Sequence, residues 1–225
     1  MPSFDILKTN QVPKTYRVAT IMGQFDVKLE HANERFTGNI ELSKEWQIGA
    51  IVGGSGTGKT TIAKQLFKEQ YIVAHDYDDK SVLDNMPKEC GIDEITRIFY
   101  SVGFGSVPSW LKPYSVLSTG EKMRVDLARA LLSQDFIVFD EFTSVVDRDV
   151  AQTVCIAINK AVKKTDKKFI AVSCHYDILE WLQPDWVFDT NTMKYFFTNA
   201  HDLKENITLG NVGEKNGRNL SVIII

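Results

Sequence analysis

The chain has 225 residues, 44% of them hydrophobic, and a net charge of −3, so it can build one large domain, or a core domain with a small lobe, and is not disordered. The weakly acidic balance gives no overall attraction to nucleic acids or anionic membranes. Three widely spaced cysteines without a C-x-x-C pair indicate neither a disulfide framework nor a zinc site, and they favour a reducing, cytoplasmic location.

Signals for membrane insertion or secretion are not found in the sequence. No stretch reaches the roughly 18 apolar residues of a membrane span, and the N-terminus has no charged and then apolar leader. We therefore expect a chain that neither spans a membrane nor is secreted.

Residues 1–47 are predicted to be rich in β-structure. Short runs of β-forming residues lie at 16–22, 25–29 and 40–42, and glycine-containing turns separate them. This pattern predicts an antiparallel sheet that leads into the apolar strand 48–52.

That strand ends in a glycine-rich loop with a full G-x-x-x-x-G-K-[ST] match. In such a P-loop, backbone N–H groups and a helix N-terminus converge on phosphate oxygens, Lys59 reaches the β- and γ-phosphates, and the Thr60 hydroxyl binds Mg²⁺. A helical face follows the loop, as the motif requires, at Ile62, Ala63 and Leu66. The loop consists of Gly53, Gly54, Ser55, Gly56, Thr57, Gly58, Lys59 and Thr60.

The middle of the chain is predicted to be mixed, with a strand at 71–74 and helices at 81–86 and 92–99. A longer helix then runs to about residue 132, with apolar residues on one face. Ser118 is its expected N-cap, and Glu121 stands at the capping-box position.

A second acidic signal follows the apolar strand 136–139. Asp140 and Glu141 lie at its carboxyl end, where ligands gather in open α/β sheets. Many strands end in carboxylates, but on the same sheet as a P-loop this pair suits phosphoryl transfer: Asp140 would hold Mg²⁺, and Glu141 would accept a proton from the attacking water or orient it.

Three further elements are predicted near the C-terminus: a helix at 149–164, a strand at 169–173 and a hairpin at 186–197. His175 lies just beyond the second of these, where a histidine can donate to a γ-phosphate or position the water. We interpret the other three histidines, His31, His75 and His201, as ordinary surface or core residues.

The order of these segments closely resembles the ATP-binding cassette (ABC) ATPase family. The resemblance covers residues 17–196, and it implies an α/β P-loop NTPase fold with a mostly parallel sheet, an N-terminal antiparallel β subdomain and a reduced helical subdomain. Its most specific part is Leu117–Glu121, which resembles the ABC signature, and few other P-loop proteins carry that signature. The matching segments are Gly53–Thr60, Leu117–Glu121, Phe136–Glu141, Ser144–Asp147 and Val172–His175.

The resemblance implies a role for each matching residue. Gly53 to Thr61 resemble Walker A, Asp140 the Walker B magnesium ligand and Glu141 the catalytic glutamate. Ser144 to Asp147 resemble the D-loop, and His175 the switch histidine.

In that family the signature acts in trans. Ser118 and Gly120 would close on the γ-phosphate of ATP held by the other subunit, so the implied ligands are ATP and Mg²⁺ and the implied partner is a second copy of the chain. Tyr16 is the first candidate to stack on adenine, by its distance from the P-loop, and Phe25 is the second; either is equally well a core aromatic.

Two departures from the family pattern argue against a transporter subunit. No glutamine lies between Tyr71 and Ser118, although the family has one after the third strand; Asp78 or Asp76 is the candidate replacement. The span from Walker A to the signature is also short, which implies a reduced lobe for docking on a membrane domain.

The resemblance also predicts the domain organisation. An ABC-type ATPase domain would occupy residues 1–210 and a tail residues 211–225. The domain would comprise a β-rich part at 1–47, the P-loop and its helix at 48–70, the helical lobe with the signature at 71–135, and the Walker B, D-loop and switch core at 136–200.

Three segments are similar to a soluble group of ABC-type ATPases, some fused to a predicted acetyltransferase domain: 17–27, 141–148 and 181–186. The leading hypothesis is a soluble, Mg²⁺-dependent ATPase that acts as a head-to-tail dimer. An ATP-gated switch or clamp for a protein or nucleic-acid partner is the alternative, and the ATPase subunit of a transporter is the third possibility.

Overall fold

A computed structural model describes residues 3–9, 15–26, 33–40, 42, 45–72 and 75–198. The chain divides into two compact units, Met1–Leu42 and Ser43–Ile225. The predicted tail 211–225 lies outside the described residues. No helix in the described ranges combines the length and the apolar character needed to cross a bilayer.

The described residues of the first unit form two antiparallel strands and one helix. Strand β1 (Ser3–Thr9) pairs with β2 (Asn33–Asn39), so that Ser3 lies opposite Asn39. Arg35 forms an ion pair across this sheet with Asp5, with 2.6 Å between Nη2 and Oδ2.

The predicted strand at 16–22 is wrong, because these residues form helix α1 (Tyr16–Gln24). The Thr15 side chain caps the helix by accepting the Val18 N–H at 3.3 Å. None of the helical residues is buried, so no packing surface holds the β-forming residues in a strand, and the local cap decides the structure. The predicted strand at 25–29 lies partly outside the described residues, and its first two residues form a turn.

The second unit is built on a five-stranded sheet with the order β4-β5-β3-β6-β7. The first four strands in this order are parallel, and β7 pairs antiparallel with β6 as the predicted terminal hairpin. All five residues of β3 are buried, as expected for the central strand of a covered parallel sheet. The strands are β3 (Ile48–Val52), β4 (Phe136–Phe139), β5 (Lys168–Ser173), β6 (Trp186–Asp189) and β7 (Lys194–Phe197).

The segment predicted as a strand at 71–74 pairs with the outer side of β4. Tyr71 forms a parallel bridge with Val138, and the Ile72 N–H donates to the Val138 carbonyl at 3.0 Å. Residues 73 and 74 lie outside the described ranges. The chain beyond them therefore resumes near the carboxyl end of β4.

In the described part of the second unit, six helices cover the sheet and form the helical lobe. The predicted face of α5 is confirmed, since Leu127, Ala128 and Leu131 are buried. On α3, Ile95 and Phe99 are buried as predicted, but Ile92, predicted on the same face, is the first residue of the helix and is 60% exposed. The predicted helix at 81–86 is a short 3-10 helix, Leu83–Asn85. The helices are α2 (Lys59–Leu66), α3 (Ile92–Ser101), α4 (Val107–Trp110), α5 (Thr119–Ser133), α6 (Arg148–Val162) and α7 (Ile178–Leu182).

An aromatic cluster packs the helical lobe together. Phe99 lies 5.2 Å from Phe104 and 5.4 Å from Trp110 between ring centroids, and the Trp110 indole N–H donates to the Phe104 carbonyl at 2.8 Å. Such buried aromatic pairs stabilise by about 0.5–1.5 kcal/mol beyond their burial. They hold α3 and α4 together, and the Ser109 hydroxyl of α4 donates to Glu121 Oε1 of α5 at 2.8 Å.

Candidate nucleotide site

The predicted P-loop connects the end of β3 to the start of α2. Gly58 is the N-cap of α2 and has a φ of 89°, a left-handed conformation that glycine adopts without strain. At Gly53 a Cβ atom would lie 2.1 Å from the Thr190 hydroxyl oxygen, so the loop and this threonine leave no room for a side chain. Thr60 and Thr61 lie in the first turn of α2, where the helix N-terminus favours an anion.

Lys59 is turned back onto its own loop. Its ammonium group donates to the Gly54 carbonyl at 2.7 Å, and the Thr57 hydroxyl donates to the same oxygen at 2.9 Å. A neutral carbonyl is a weak partner for a half-buried ammonium group, because it supplies no opposite charge. A bound phosphate would supply that charge.

Asp140 and Glu141 follow β4, as the sequence predicts. Asp140 accepts a hydrogen bond on each carboxylate oxygen: from the Tyr71 hydroxyl at 2.5 Å and from the Glu141 N–H at 2.9 Å. Burial raises the pKa of Tyr71, and the hydrogen bond to Asp140 raises it further, so the phenol keeps its proton as a donor.

Glu141 has a conformation that is rare for its residue type. Its φ is 52°, and its carbonyl accepts the Ser144 N–H at 3.1 Å and the Ser144 hydroxyl at 2.7 Å. Non-glycine residues at positive φ cost about 1–3 kcal/mol and cluster at functional sites. The turn thereby holds the exposed Glu141 side chain beside Asp140.

The sheet order brings the predicted nucleotide residues to one edge. Strand β5 lies between β3 and β4 and is parallel to both, so the segment after it lies between the P-loop and Asp140. His175 is the second residue beyond β5, and its N–H donates to the Ser173 hydroxyl at 3.1 Å. A phosphate chain on the P-loop would therefore extend along the edge where His175 and Asp140 stand.

The predicted signature turn is a helix N-terminus. Ser118 caps α5, and it forms the capping box with Glu121 as the sequence predicts. The Ser118 N–H donates to Glu121 Oε2 at 2.9 Å, and this bond is the first cause of a lowered pKa of the Glu121 carboxyl. Gly120 approaches the D-loop segment, since a Cβ there would lie 3.2 Å from a Val146 methyl carbon.

Asp147 ends the D-loop segment as the N-cap of α6. Its side chain accepts the Val150 N–H at 2.9 Å. The contact fixes the start of α6, and the exposed carboxylate has one oxygen left for a further donor.

A cavity of about 340 Å³ opens beside the carboxylate pair. Asp140 and Glu141 line it together with four residues of α5 and with His75. The carboxylates therefore lie on one side of the cavity, and α5, which begins at the predicted signature turn, lies on the other. The α5 residues are Thr119, Lys122, Met123 and Asp126.

His75 is a site residue that the sequence did not single out. Its Nε2 atom is buried and has no hydrogen-bond partner among the described residues, and burial lowers the pKa of the imidazole, with the nearby Arg129 as the second cause. The candidates for the missing glutamine, Asp76 and Asp78, do not line the cavity. Asp78 instead pairs with Lys80 at 2.9 Å. The position of His75 after a strand that pairs with β4 is the signal that identifies it.

A half-buried polar cluster lies beside this histidine. Tyr77 and Tyr114 stack with 3.9 Å between ring centroids, and each donates to an Asp126 oxygen at 2.8 Å. Arg129 lies over the Tyr77 ring and donates to the Asp76 carbonyl at 2.9 Å. Burial raises the pKa of Asp126. The cluster joins the loop that carries His75 to helix α5.

The two candidates to stack on adenine, Tyr16 and Phe25, are both exposed. Tyr16 lies on α1 in the first unit and is 87% exposed, and Phe25, at the C-terminal end of the same helix, is 66% exposed. Neither is a core aromatic. Stacking of Tyr16 on adenine stays a prediction.

The residues present fit a magnesium nucleotide. The loop has an ammonium group without a carboxylate partner among the described residues, and Asp140 keeps free lone pairs after its two hydrogen bonds. No group of three or more His, Cys, Asp or Glu residues in the described part of the chain forms an all-protein metal cage. Mg²⁺ usually binds through one or two carboxylates, phosphates and waters, so Thr60 and Asp140 suit it.

Comparison with protein families gives a matching model. The model described as NB-ARC domain matches residues 29–166, more than half of the chain. This range contains the P-loop, the turn before α5 and the Asp140–Glu141 pair.

Comparison with curated proteins gives relatives among ABC transporters. The chain is 30% identical over 164 residues to the mitochondrial iron-sulfur clusters transporter ABCB7 of Homo sapiens; the match covers 54% of this chain and 22% of that protein. The chain therefore spans about a fifth of the length of this relative.

Comparison with solved structures gives ABC cassettes. A bacterial Atm1-family ABC exporter with ATP bound has a TM-score of 0.58 at 17% identity, over 76% of this chain and 37% of that one. A dimeric bacterial ABC transporter cassette has a TM-score of 0.55 at 15% identity, over 82% of this chain and 94% of that one. At these identities the likeness concerns the fold.

Proposed function

From the premise that this chain belongs to the NB-ARC domain family and has the P-loop NTPase fold of ABC ATPase cassettes, we propose that it binds ATP with Mg²⁺ and hydrolyses it to ADP and phosphate, as a head-to-tail homodimer. One observation carries the proposal. The sheet order β4-β5-β3 brings Asp140 with Glu141, His175 and the P-loop to the same edge.

Each residue at this edge has a task that its chemistry suits. Lys59 and the loop amides bind the phosphates, and His175 donates to the γ-phosphate or positions the water. Glu141 accepts the proton of the attacking water. Mg²⁺, when bound by Thr60 and Asp140, neutralises charge that develops on the phosphate oxygens.

The turn before α5 supports the dimer. Ser118 is exposed at the N-terminus of a 15-residue helix, where backbone N–H groups and the helix dipole attract an anion. In the dimer that we propose, Ser118 and Gly120 of one copy close on the γ-phosphate held by the other, and Asp147 lies near the shared nucleotide. The dimeric bacterial cassette with the same fold is consistent with this arrangement.

Two variants test the proposal. We expect Glu141→Gln to bind ATP and to form a stable ATP-dependent dimer, while its turnover falls on the order of 10²-fold, because the variant cannot accept the proton. Lys59→Ala should lose ATP binding. Binding, dimerisation and phosphate release would be measured on both. Hydrolysis by Glu141→Gln at the wild-type rate would contradict the role given to Glu141.

A second candidate function is an ATP-gated switch or clamp for a protein or nucleic-acid partner. Large apolar side chains lie exposed on the helical lobe and favour a protein contact. Slow turnover alone that rises when the partner is added would support this function, and brisk partner-independent turnover would exclude it. The exposed side chains are Ile92, Tyr100, Val107, Leu111 and Val116.

We also propose a soluble, cytoplasmic protein of the kind found in the ABC-type group with acetyltransferase fusions. The three cysteines are free thiols, which suits a reducing compartment: Cys90, Cys155 and Cys174. Co-purification with a membrane protein would instead support the transporter-subunit alternative.

A further inference from the structure

The turn between β6 and β7 contacts the P-loop directly. The Gly54 N–H donates to Asn191 Oδ1 at 3.0 Å, and the hydroxyls of Thr57 and Thr190 lie 2.5 Å apart. These pairs are 137 and 133 residues apart in sequence. The hairpin turn therefore fixes the loop from outside it.

Asn191 also belongs to a closed ring of hydrogen bonds. Its Nδ2 group donates to the Tyr176 hydroxyl at 2.9 Å, and that hydroxyl donates to Asp189 Oδ1 at 2.9 Å. The Asn191 N–H donates to the same Asp189 oxygen at 2.8 Å. The amide is thus used at both ends, with its oxygen toward the P-loop and its nitrogen toward Tyr176.

Tyr176 is the residue next to His175. The ring consequently connects the phosphate-binding loop to the segment that carries the histidine, although the two lie on different strands. Thr190 adds a further bond between the β6–β7 turn and the chain just before the P-loop, since its hydroxyl donates to the Val52 carbonyl at 3.1 Å.

We propose that Asn191 and Tyr176 are positioning residues that hold the P-loop and the segment with His175 in the relative position that nucleotide binding and hydrolysis require. This inference rests on the ATPase function proposed above. Neither residue needs to touch the nucleotide. Asn191 acts through the Gly54 amide, and Tyr176 acts through Asn191 and through its neighbour His175.

The two residues should affect different kinetic constants. Asn191→Ala removes the acceptor of the Gly54 N–H as well as the ring, so we expect the KM for ATP to rise roughly tenfold, as for one unsatisfied polar group. Tyr176→Phe keeps the aromatic ring but removes its hydroxyl, so we expect kcat to fall several-fold with the KM nearly unchanged.

A control distinguishes positioning from general stability. Asn159 on α6 makes a comparable contact away from the P-loop, with its Nδ2 group donating to the Leu182 carbonyl at 2.7 Å. Asn159→Ala should lower the melting temperature without changing the KM or kcat. The double variant Asn191→Ala with Tyr176→Phe should have less than the summed effect, because both changes break the same ring.

Hydrogen exchange adds a measurement that does not depend on activity. The Gly54 amide should exchange faster in Asn191→Ala than in the wild type and in Asn159→Ala. Suppose that the wild-type protein binds ATP, and that Asn191→Ala has the wild-type KM and kcat and the wild-type exchange rate of the Gly54 amide. That result would overturn the positioning role alone. Failure of the wild-type protein to bind ATP would overturn the ATPase function itself.

Discussion

The P-loop and the turn before α5 are both glycine-containing turns that lead into a helix, but they are stabilised in different ways. Distant residues hold the P-loop, since Asn191 and Thr190 contact it from the β6–β7 turn. Local residues hold the turn before α5, where Ser118 and Glu121 satisfy each other within one helical turn.

This difference in stabilisation indicates how each turn would respond to a bound phosphate. In the P-loop, the Lys59 ammonium group has a loop carbonyl oxygen as its one hydrogen-bond partner among the described residues, so an incoming phosphate improves its electrostatic environment. In the turn before α5, the capping box is complete in a single copy. A phosphate that arrived from a second copy would add to a turn that is already formed.

The largest expected effect comes from adding the same methyl group to each turn. Gly53→Ala places a Cβ atom 2.1 Å from the Thr190 hydroxyl, so we expect a loss of about 2–3 kcal/mol of unfolding free energy and of measurable ATP binding. Gly120→Ala meets a Val146 methyl carbon at 3.2 Å and the Nη1 atom of the long Arg124 side chain at 3.6 Å, neither of them backbone, so its stability should stay within about 0.5 kcal/mol of wild type.

Urea unfolding and nucleotide binding would measure both glycine variants. Adding Thr190→Ala to Gly53→Ala removes the nearest clashing atom and should recover part of the lost stability. Equal stability of the two single variants would show that the P-loop is not fixed from outside.

A smaller effect is expected from removing one hydroxyl beside Asp140. Tyr71→Phe keeps the ring under the Lys64 ammonium group, which lies 5.0 Å from the ring centroid, but deletes the donor to Asp140 Oδ2. Partners that orient a metal ligand typically contribute 10–100-fold in affinity, so Mg²⁺ affinity should fall by about that factor.

Titration of nucleotide binding with Mg²⁺ would measure the change in Tyr71→Phe, and Mn²⁺ paramagnetic relaxation would measure it without turnover. Tighter metal binding in Tyr71→Phe would mean that the phenol competes with the metal rather than orienting Asp140.

The parts that the sequence predicts well are those that depend on neighbours in the chain. Spacing within a few residues predicts the cap at Ser118, the face of α5 and the apolar strand before Asp140. The P-loop pattern is predictable because its residue types are those that phosphate binding requires. Helix α1 was missed for the opposite reason: its β-forming residues have no buried face, and the cap at Thr15 outweighs their propensity.

Contacts between distant segments were not predictable. Nothing near Asn191 in the sequence indicates a partner 137 residues earlier, and His75 became a site residue only because its strand pairs with β4. A single sequence gives no register between strands, so it cannot assign such contacts.

A still smaller effect, on the free energy of unfolding, is expected at the N-cap of α5. Ser118→Ala removes the side chain that accepts the Glu121 N–H and should cost about 1 kcal/mol, whereas Ser118→Gly should cost only a few tenths. If the hydroxyl acts on a second copy's nucleotide, both variants should lose turnover alike. Turnover that follows stability, with Ser118→Gly near wild type, would limit Ser118 to its capping role.

The smallest effect concerns the acid stability of the same turn. The Ser118 N–H holds the pKa of Glu121 below its ordinary value of 4.5 in the folded chain, so the contribution is fully present above pH 4.5 and is lost as the pH falls through the lowered value. Glu121→Gln keeps the capping-box geometry without a titrating group. Unfolding free energies at pH 7 and pH 3 should therefore show a larger acid loss in the wild type than in Glu121→Gln, by a few tenths of a kcal/mol as for a local charge at a helix N-terminus. Parallel pH profiles would mean that the protonated Glu121 side chain caps α5 as well as its carboxylate does. The turn before α5 would then be independent of charge, whereas the P-loop still depends on Lys59.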